Sequence, residues 1–238
     1  MNTTIGILGA GRVGMVLARL AVAAGYRVLV AGSGDASRIA PTLDALSHGA
    51  VALAAAEVAR NADTVILALP LVNYRDVPAG ELRGKLVIDA MNYWWAADGI
   101  REDLADPRTS SSETVQAFLH ESRVVKALNH MGYLELEEEA RVTGHPDRKA
   151  LAIAGDAAAD ITSVARLVDS LGFDAVVAGP LADGVRFEPN TEPFGADVNA
   201  AELRAMLERF PNSARGQVVA RARAGAGPET LRGSRTGL

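Results

Sequence analysis

An α/β fold with a doubly wound parallel sheet is predicted by three observations. Apolar stretches alternate with helix-forming ones through the first half of the chain. Those stretches show no polar alternation, as expected of strands covered on both faces by helices. The first of them, Thr4–Leu8, runs straight into Gly9-Ala10-Gly11-Arg12-Val13-Gly14 and then into a helix-forming segment.

The elements follow in order. Thr4–Leu8 reads as a buried strand, and Arg12–Ala24 as an alanine- and leucine-rich helix closed by Gly25. Arg27–Ala31 is the second strand, and Ile39–Leu46 a short helix. Ala50–Leu53 and Ala54–Asn61 form the next strand–helix pair. Thr64–Leu69 is an apolar strand stopped by Pro70, because proline cannot donate to a sheet ladder. Lys85–Asp89 is a further strand. Met91 to Ser112 reads as irregular and holds Trp94 and Trp95. A helix over Glu113–His120, strands over Arg123–Leu128 and Ala150–Ala154, a helix over Ala157–Leu171, a strand over Phe173–Ala178 and a helix over Asn199–Phe210 complete the pattern. Residues 1–210 are thus expected to form the packed unit. From Pro211 the chain has almost no large apolar residues, so 211–238 is expected to be a disordered, solvated tail. Its five arginines stand against one glutamate.

Bulk properties narrow the function. A 238-residue chain that is 49% hydrophobic can bury one substantial core. A net charge of −5 argues against a nucleic-acid partner, which favours a basic face. The absence of cysteine excludes thiolate catalysis, cysteine–zinc sites and disulfides. No apolar run is long enough to span a bilayer, and no basic region precedes Ile5, so a soluble, cytoplasmic protein without membrane partners is expected. Glu135–Glu139 reads as a solvated acidic face with no metal-ligand spacing, so no metal is expected.

The glycine turn carries the chemistry. Its motif alone is common, but its place between a strand and a helix points to a dinucleotide pyrophosphate. Gly9 permits the tight turn, Gly11 lets phosphate approach the backbone, and Gly14 lets the helix lie on the strand. Free amides and the positive end of the helix dipole then face the phosphates.

The second strand usually ends in a carboxylate that binds the adenosine ribose. Here it runs into Gly32-Ser33-Gly34. A carboxylate would repel a 2′-phosphate, whereas Ser33 offers a hydroxyl, Gly34 an accessible amide, and Arg38 a cation able to pair with phosphate in two parallel bonds. Arg12, in the turn itself, is a second candidate. The site therefore reads as preferring NADP, unless Asp35 turns inward and restores NAD.

In a doubly wound sheet, ligands bind beyond the carboxyl ends of the strands. Leu69 and Pro70 are placed to border the pyrophosphate and nicotinamide ribose, and Asn92 and Asn129 to bond carboxamide or substrate groups. For both asparagines a strand-end cap is an equal alternative. His130 is the candidate general acid, since imidazole titrates near neutrality. A structural donor is the more ordinary role for a histidine there. Tyr93, Trp94 and Trp95 suit either stacking on a flat heterocycle or packing in a core or interface.

Several segments resemble the NADP-dependent coenzyme F420 oxidoreductases and their bacterial relatives. They are Gly9 to Gly14, Ala31-Gly32-Ser33, Leu67-Ala68-Leu69-Pro70 and Val124-Val125-Lys126-Ala127-Leu128-Asn129. Ile153-Ala154-Gly155-Asp156 and the passage from Leu171-Gly172-Phe173-Asp174 to Ala178-Gly179-Pro180-Leu181 extend the likeness across residues 1–210. The resemblance implies a Rossmann-type sheet extended by additional C-terminal strands, NADP(H) as cofactor, a homodimer, and a small-molecule redox substrate. It implies hydride exchange with a deazaflavin such as coenzyme F420. Archaeal members often carry Gly-Ser-Arg where this chain has Gly32-Ser33-Gly34, which moves the arginine contact to Arg38 or Arg12. Asn129-His130-Met131-Gly132 also departs from the archaeal form. Another acceptor (a flavin, ferric chelate or imine) and a non-catalytic NADP-binding sensor are the alternatives. Direct hydride transfer needs two rings held in register more than it needs an acid. A chain without an evident catalytic lysine, cysteine or metal cluster fits that chemistry.

Overall fold

The computed structural model describes residues 3–225. Eight strands form one sheet in the order β3-β2-β1-β4-β5-β6-β7-β8. In chain order the elements are β1 (Thr4–Leu8), α1 (Arg12–Ala23), β2 (Arg27–Ala31), α2 (Ala40–Leu46), β3 (Ala50–Ala52), α3 (Ala55–Asn61), β4 (Thr64–Leu67), α4 (Ala79–Leu82) and β5 (Leu86–Asp89). Two one-turn helices follow, α5 (Trp95–Asp98) and α6 (Glu102–Ala105), and then α7 (Ser111–Phe118), β6 (Arg123–Lys126) and α8 (Tyr133–Glu138). The last elements are β7 (Ala150–Ala154), α9 (Ala158–Ser170), β8 (Asp174–Gly179), α10 (Ala200–Arg209) and α11 (Ala214–Gly225).

The chain winds outward from β1 through β2 to β3, then crosses to β4 and winds the other way. Strand order therefore reverses between β1 and β4, which opens a crevice at their carboxyl ends. β1 and β5 are buried along their whole lengths, because helices cover both faces. On one face Ile7, Leu17, Val28, Ile88 and Phe173 share a core cluster. On the other, Leu67, Val58, Tyr74, Val87 and Val115 share a second.

The expected doubly wound sheet with additional C-terminal strands is present, and one expectation, the tail, is corrected. The added strands differ from the rest in direction: β7 meets β6 antiparallel, through the pair Lys126–Ala154, and β8 runs parallel to β7. The last two strands thus reverse direction. Their apolar pattern could not show this, because a buried strand reads the same in either sense. The tail expected from residue 211 begins as a helix: α11 buries Val219 against Val185 and Phe210. Its Arg223 donates to the carbonyls of Arg108 and Ala182, both at 3.0 Å. Docking supplies the burial that its composition lacks. Residues 226–238 of the expected tail lie outside the described residues.

Candidate functional site

A cleft of about 610 Å³ lies at the reversal of strand order, floored by the glycine turn. The Gly9 amide donates to the Ala31 carbonyl at 2.8 Å, tying the ends of β1 and β2 together. Gly9 holds a φ of 124°, and a Cβ there would collide with the Ala68 carbonyl. A Cβ on Gly14 would collide with the carbonyl of Gly9. Gly11 differs: a Cβ there would meet nothing within 4 Å, because that position faces the open cleft. No side chain caps the start of α1, so its first-turn amides remain available to an anion.

Gly9, Ala10, Gly11, Ser33, Gly34, Leu69 and Pro70 all line this cleft. Gly14 lies buried beneath it. Val13 packs its side chain against the core, leaving only its backbone for a ligand. The Arg12 guanidinium leans onto α8, donating to the Tyr133 hydroxyl at 3.0 Å and lying 5.3 Å from its ring centre. At the β2 tip, the Asp35 carboxylate accepts from the Ser37 amide at 2.8 Å. The hydrogen bonds from Ser37 hold its pKa below the usual value. Asp35 is therefore engaged as a local cap. Arg38 is exposed, and its guanidinium lies 3.5 Å from the point that a Cβ on Gly34 would occupy. Asn73 and Asp76 also line the cleft and were missed by sequence reasoning. They sit on the 3-10 segment Leu71–Asp76, whose start Pro70 marked but whose inward face no periodicity revealed.

The expected chemical residues lie elsewhere. Asn92 donates to the Asn129 carbonyl at 2.8 Å, and Asn129 donates back to the Asn92 side-chain oxygen at 3.1 Å. Asn129 also donates to the Phe187 carbonyl at 3.0 Å. The two asparagines form a clamp across the ends of β5 and β6, as the strand-end alternative expects. Leu128, just before it, adopts a φ of 64°, a left-handed conformation rare for a bulky residue.

His130 is 1% exposed and cannot serve as the acid. Its Nε2 accepts the Ala152 amide at 2.9 Å. Its Nδ1 then carries the proton, toward the Pro193 carbonyl at 3.2 Å. Both ring nitrogens are committed, and burial pushes the pKa down to about 4. The folded state thus holds the ring neutral while the unfolded ring titrates near 6.5. The associated stability is complete above pH 6.5 and is lost as pH falls toward 4. We expect about 3 kcal/mol of stability to disappear across that window. Denaturant titrations at a series of pH values measure it, and His130→Gln should flatten the slope. A slope unchanged in that variant would assign the loss to other groups.

The irregular segment after β5 carries both tryptophans on the surface. Trp95 is 61% exposed and Ile100 84% exposed, so core packing, one of the expected roles, does not apply to Trp95. Trp94 meets Phe194 edge to face at 5.3 Å between ring centres. Tyr93 is partly buried, its hydroxyl donating to the Gly99 carbonyl at 2.6 Å and accepting the Arg101 amide at 2.8 Å.

Behind the ends of β5 and β6 lies a charged cluster that sequence reasoning also missed. The Lys126 ammonium, fully buried, sits 3.3 Å from the Asp89 carboxylate and donates to the Met91 carbonyl at 2.6 Å. Ser112 donates to Asp89 at 2.6 Å. The only trace in the sequence is a polar residue at the end of each of two apolar strands. Among the described residues, no group of His, Asp and Glu is arranged to hold a metal ion. No helix there is long and apolar enough to cross a membrane.

Residues 4–93, from β1 to just past β5, match the family described as NADP oxidoreductase, coenzyme F420-dependent. The match covers less than half of the chain, so it records a similarity of this N-terminal unit to that family. The Escherichia coli (strain K12) protein YjhV is 37% identical over 78 residues, covering 33% of this chain and 55% of that protein. The aligned part thus spans about half the length of the curated relative. The solved structure of the Sinorhizobium meliloti protein SMa0349 is 28% identical with a TM-score of 0.70, covering 82% of this chain and 93% of that one. An Arthrobacter protein provisionally described as an F420-dependent NADP reductase is 25% identical with a TM-score of 0.65, covering 76% of this chain and 86% of that one. The structural likeness therefore continues beyond the family-matched residues. The family is one of NADP-dependent oxidoreductases, the class that the sequence resemblance implies.

Proposed function

We propose that this protein is an NADP-dependent oxidoreductase that exchanges hydride with a deazaflavin of the coenzyme F420 type. The observation that carries the nucleotide half is the β2 tip. Ser33 and Gly34 line the cleft, the Asp35 carboxylate that follows them is engaged by Ser37, and Arg38 lies next to Gly34. The residues fit the cofactor: Gly11 leaves the space a pyrophosphate needs, α1 supplies amides, and Ser33 and Arg38 suit a 2′-phosphate. Bound NADPH supplies the hydride.

What the chain contributes is placement. Leu69 and Pro70 line the cleft on the side this reading gives to the nicotinamide. Holding two reactants in register can lower a barrier by roughly 7–11 kcal/mol. The cleft lining includes the carboxylate Asp76 but no histidine, lysine or tyrosine. That composition supports direct hydride exchange over carbonyl reduction, where a developing alkoxide needs a proton donor. The reading includes a homodimer and a cytoplasmic location. Light scattering tests the dimer.

NADP is expected to bind at least tenfold more tightly than NAD, about 1.4 kcal/mol, from one charge-assisted contact. Titration of the purified protein with both nucleotides checks it, and Arg38→Ala should erase the difference. Equal affinities in the unaltered protein would remove the β2 tip from the argument. The acceptor is tested by NADPH oxidation with a deazaflavin, riboflavin, a ferric chelate and a cyclic imine in parallel. Turnover confined to another acceptor replaces the deazaflavin. Tight nucleotide binding with no turnover replaces the enzyme by a sensor.

A further inference from the structure

A second cavity, of about 430 Å³, shares no lining residue with the nucleotide cleft. Tyr93, Trp95 and Leu104 form apolar walls, Ser111 and Glu188 the polar base, and Arg215 reaches it from α11. Glu188 is only 9% exposed. One of its oxygens accepts both the amide and the hydroxyl of Ser111, each at 2.7 Å. Among the described residues its other oxygen has no donor. Ser111 in turn accepts from the Lys126 ammonium at 3.3 Å.

The charges do not balance. Lys126 is the one ammonium in this cluster, and it already lies 3.3 Å from Asp89. Two buried carboxylates thus share one buried cation. Among the described residues, no cation lies within 4 Å of Glu188, although Arg215 lines the same cavity. Glu188 lines the cavity, its second oxygen has neither donor nor counter-ion among the described residues, and a cation bound there would supply both. The adjoining tyrosine and tryptophan suit a cation carried on an organic body, because aromatic faces attract ammonium groups.

We propose that this cavity is a binding site for an organic ammonium or iminium ion, with Glu188 as its counter-ion and Tyr93 and Trp95 against its apolar body. The inference goes beyond the hydride reading and requires no bound nucleotide. A hydride acceptor with a cationic nitrogen and a separate effector would be recognised by the same chemistry.

Calorimetric titration of the full chain with benzylammonium, benzyl alcohol and benzoate at pH 7 tests it. Benzylammonium should bind at least tenfold more tightly than the alcohol. Glu188→Gln, which still accepts from Ser111, should abolish that preference. Trp95→Ala removes an exposed side chain and leaves the fold intact, so it should weaken benzylammonium about fivefold even if the glutamine variant fails to fold. Adding NADP as a second titrant reads the nucleotide cleft separately. Loss of NADP binding alone strikes the hydride reading and spares this one. Equal affinity for the three probes, tighter binding of benzoate through Arg215, or no binding of any probe overturns the proposal.

Discussion

Gly11→Val should lower NADP affinity at least 100-fold while leaving the protein folded with an unchanged melting temperature. The two halves of that expectation come from the same geometry. A Cβ at Gly11 meets nothing within 4 Å, so the protein has room for a side chain. That room is the open cleft over the start of α1, where the pyrophosphate must approach the backbone. The isopropyl group therefore competes with the ligand and with nothing else. Gly14→Ala provides the contrast. Its methyl group would press into the Gly9 carbonyl and force α1 off β1, so the variant should lose several kcal/mol of stability before binding is considered. Nucleotide titration beside thermal unfolding separates the two. Wild-type affinity in Gly11→Val would remove the glycine turn as the nucleotide site.

The contrast shows what the sequence could and could not carry. The strand–glycine–helix order and the strands through β5 were legible, because a buried parallel strand leaves an apolar run and a helix leaves its cap and stop. The missing acid after Ala31 was legible too, since it concerns what is absent from one position. Asp35 and Arg38 lie three residues apart in one loop, and sequence alone could not say which faces the cleft. In the structure Asp35 accepts from Ser37 and Arg38 lies beside Gly34, and neither side chain is among those lining the cleft.

The chemical residues were harder to read. His130 is a titratable side chain at a strand end, and exposure is what separates an acid from a structural donor. Burial and its two backbone partners follow from Ala152 on β7 and Pro193 near α10, both distant in sequence. Asn92 and Asn129 likewise hydrogen-bond each other across 37 residues. The reversal of β7 and the docking of α11 depend on contacts of the same long-range kind. Periodicity reports only which neighbours along one element share a face, so none of these was accessible to it.

Lys126→Met should cost about 3–5 kcal/mol of stability, because it leaves the Asp89 carboxylate buried without its cation. For a chain of this size that corresponds to a fall in melting temperature of roughly 10 °C. The methionine fills most of the volume, so the loss measures charge and hydrogen bonding more than packing. It also deprives the Met91 carbonyl of its donor. Met91 and Asn92 lie just past β5, after Ala90, and the ammonium holds Met91 near the end of β6. Adding Asp89→Asn to Lys126→Met removes the orphaned charge while keeping an acceptor for Ser112 and the Met91 amide. The double variant should recover more than half of the loss. Denaturant unfolding of the wild type, both single variants and the double variant completes the cycle. A cost under about 1 kcal/mol for Lys126→Met would show that the pair does not hold the two strand ends together. A large cost without rescue would place the penalty in the Met91 and Ser111 contacts, not in the carboxylate.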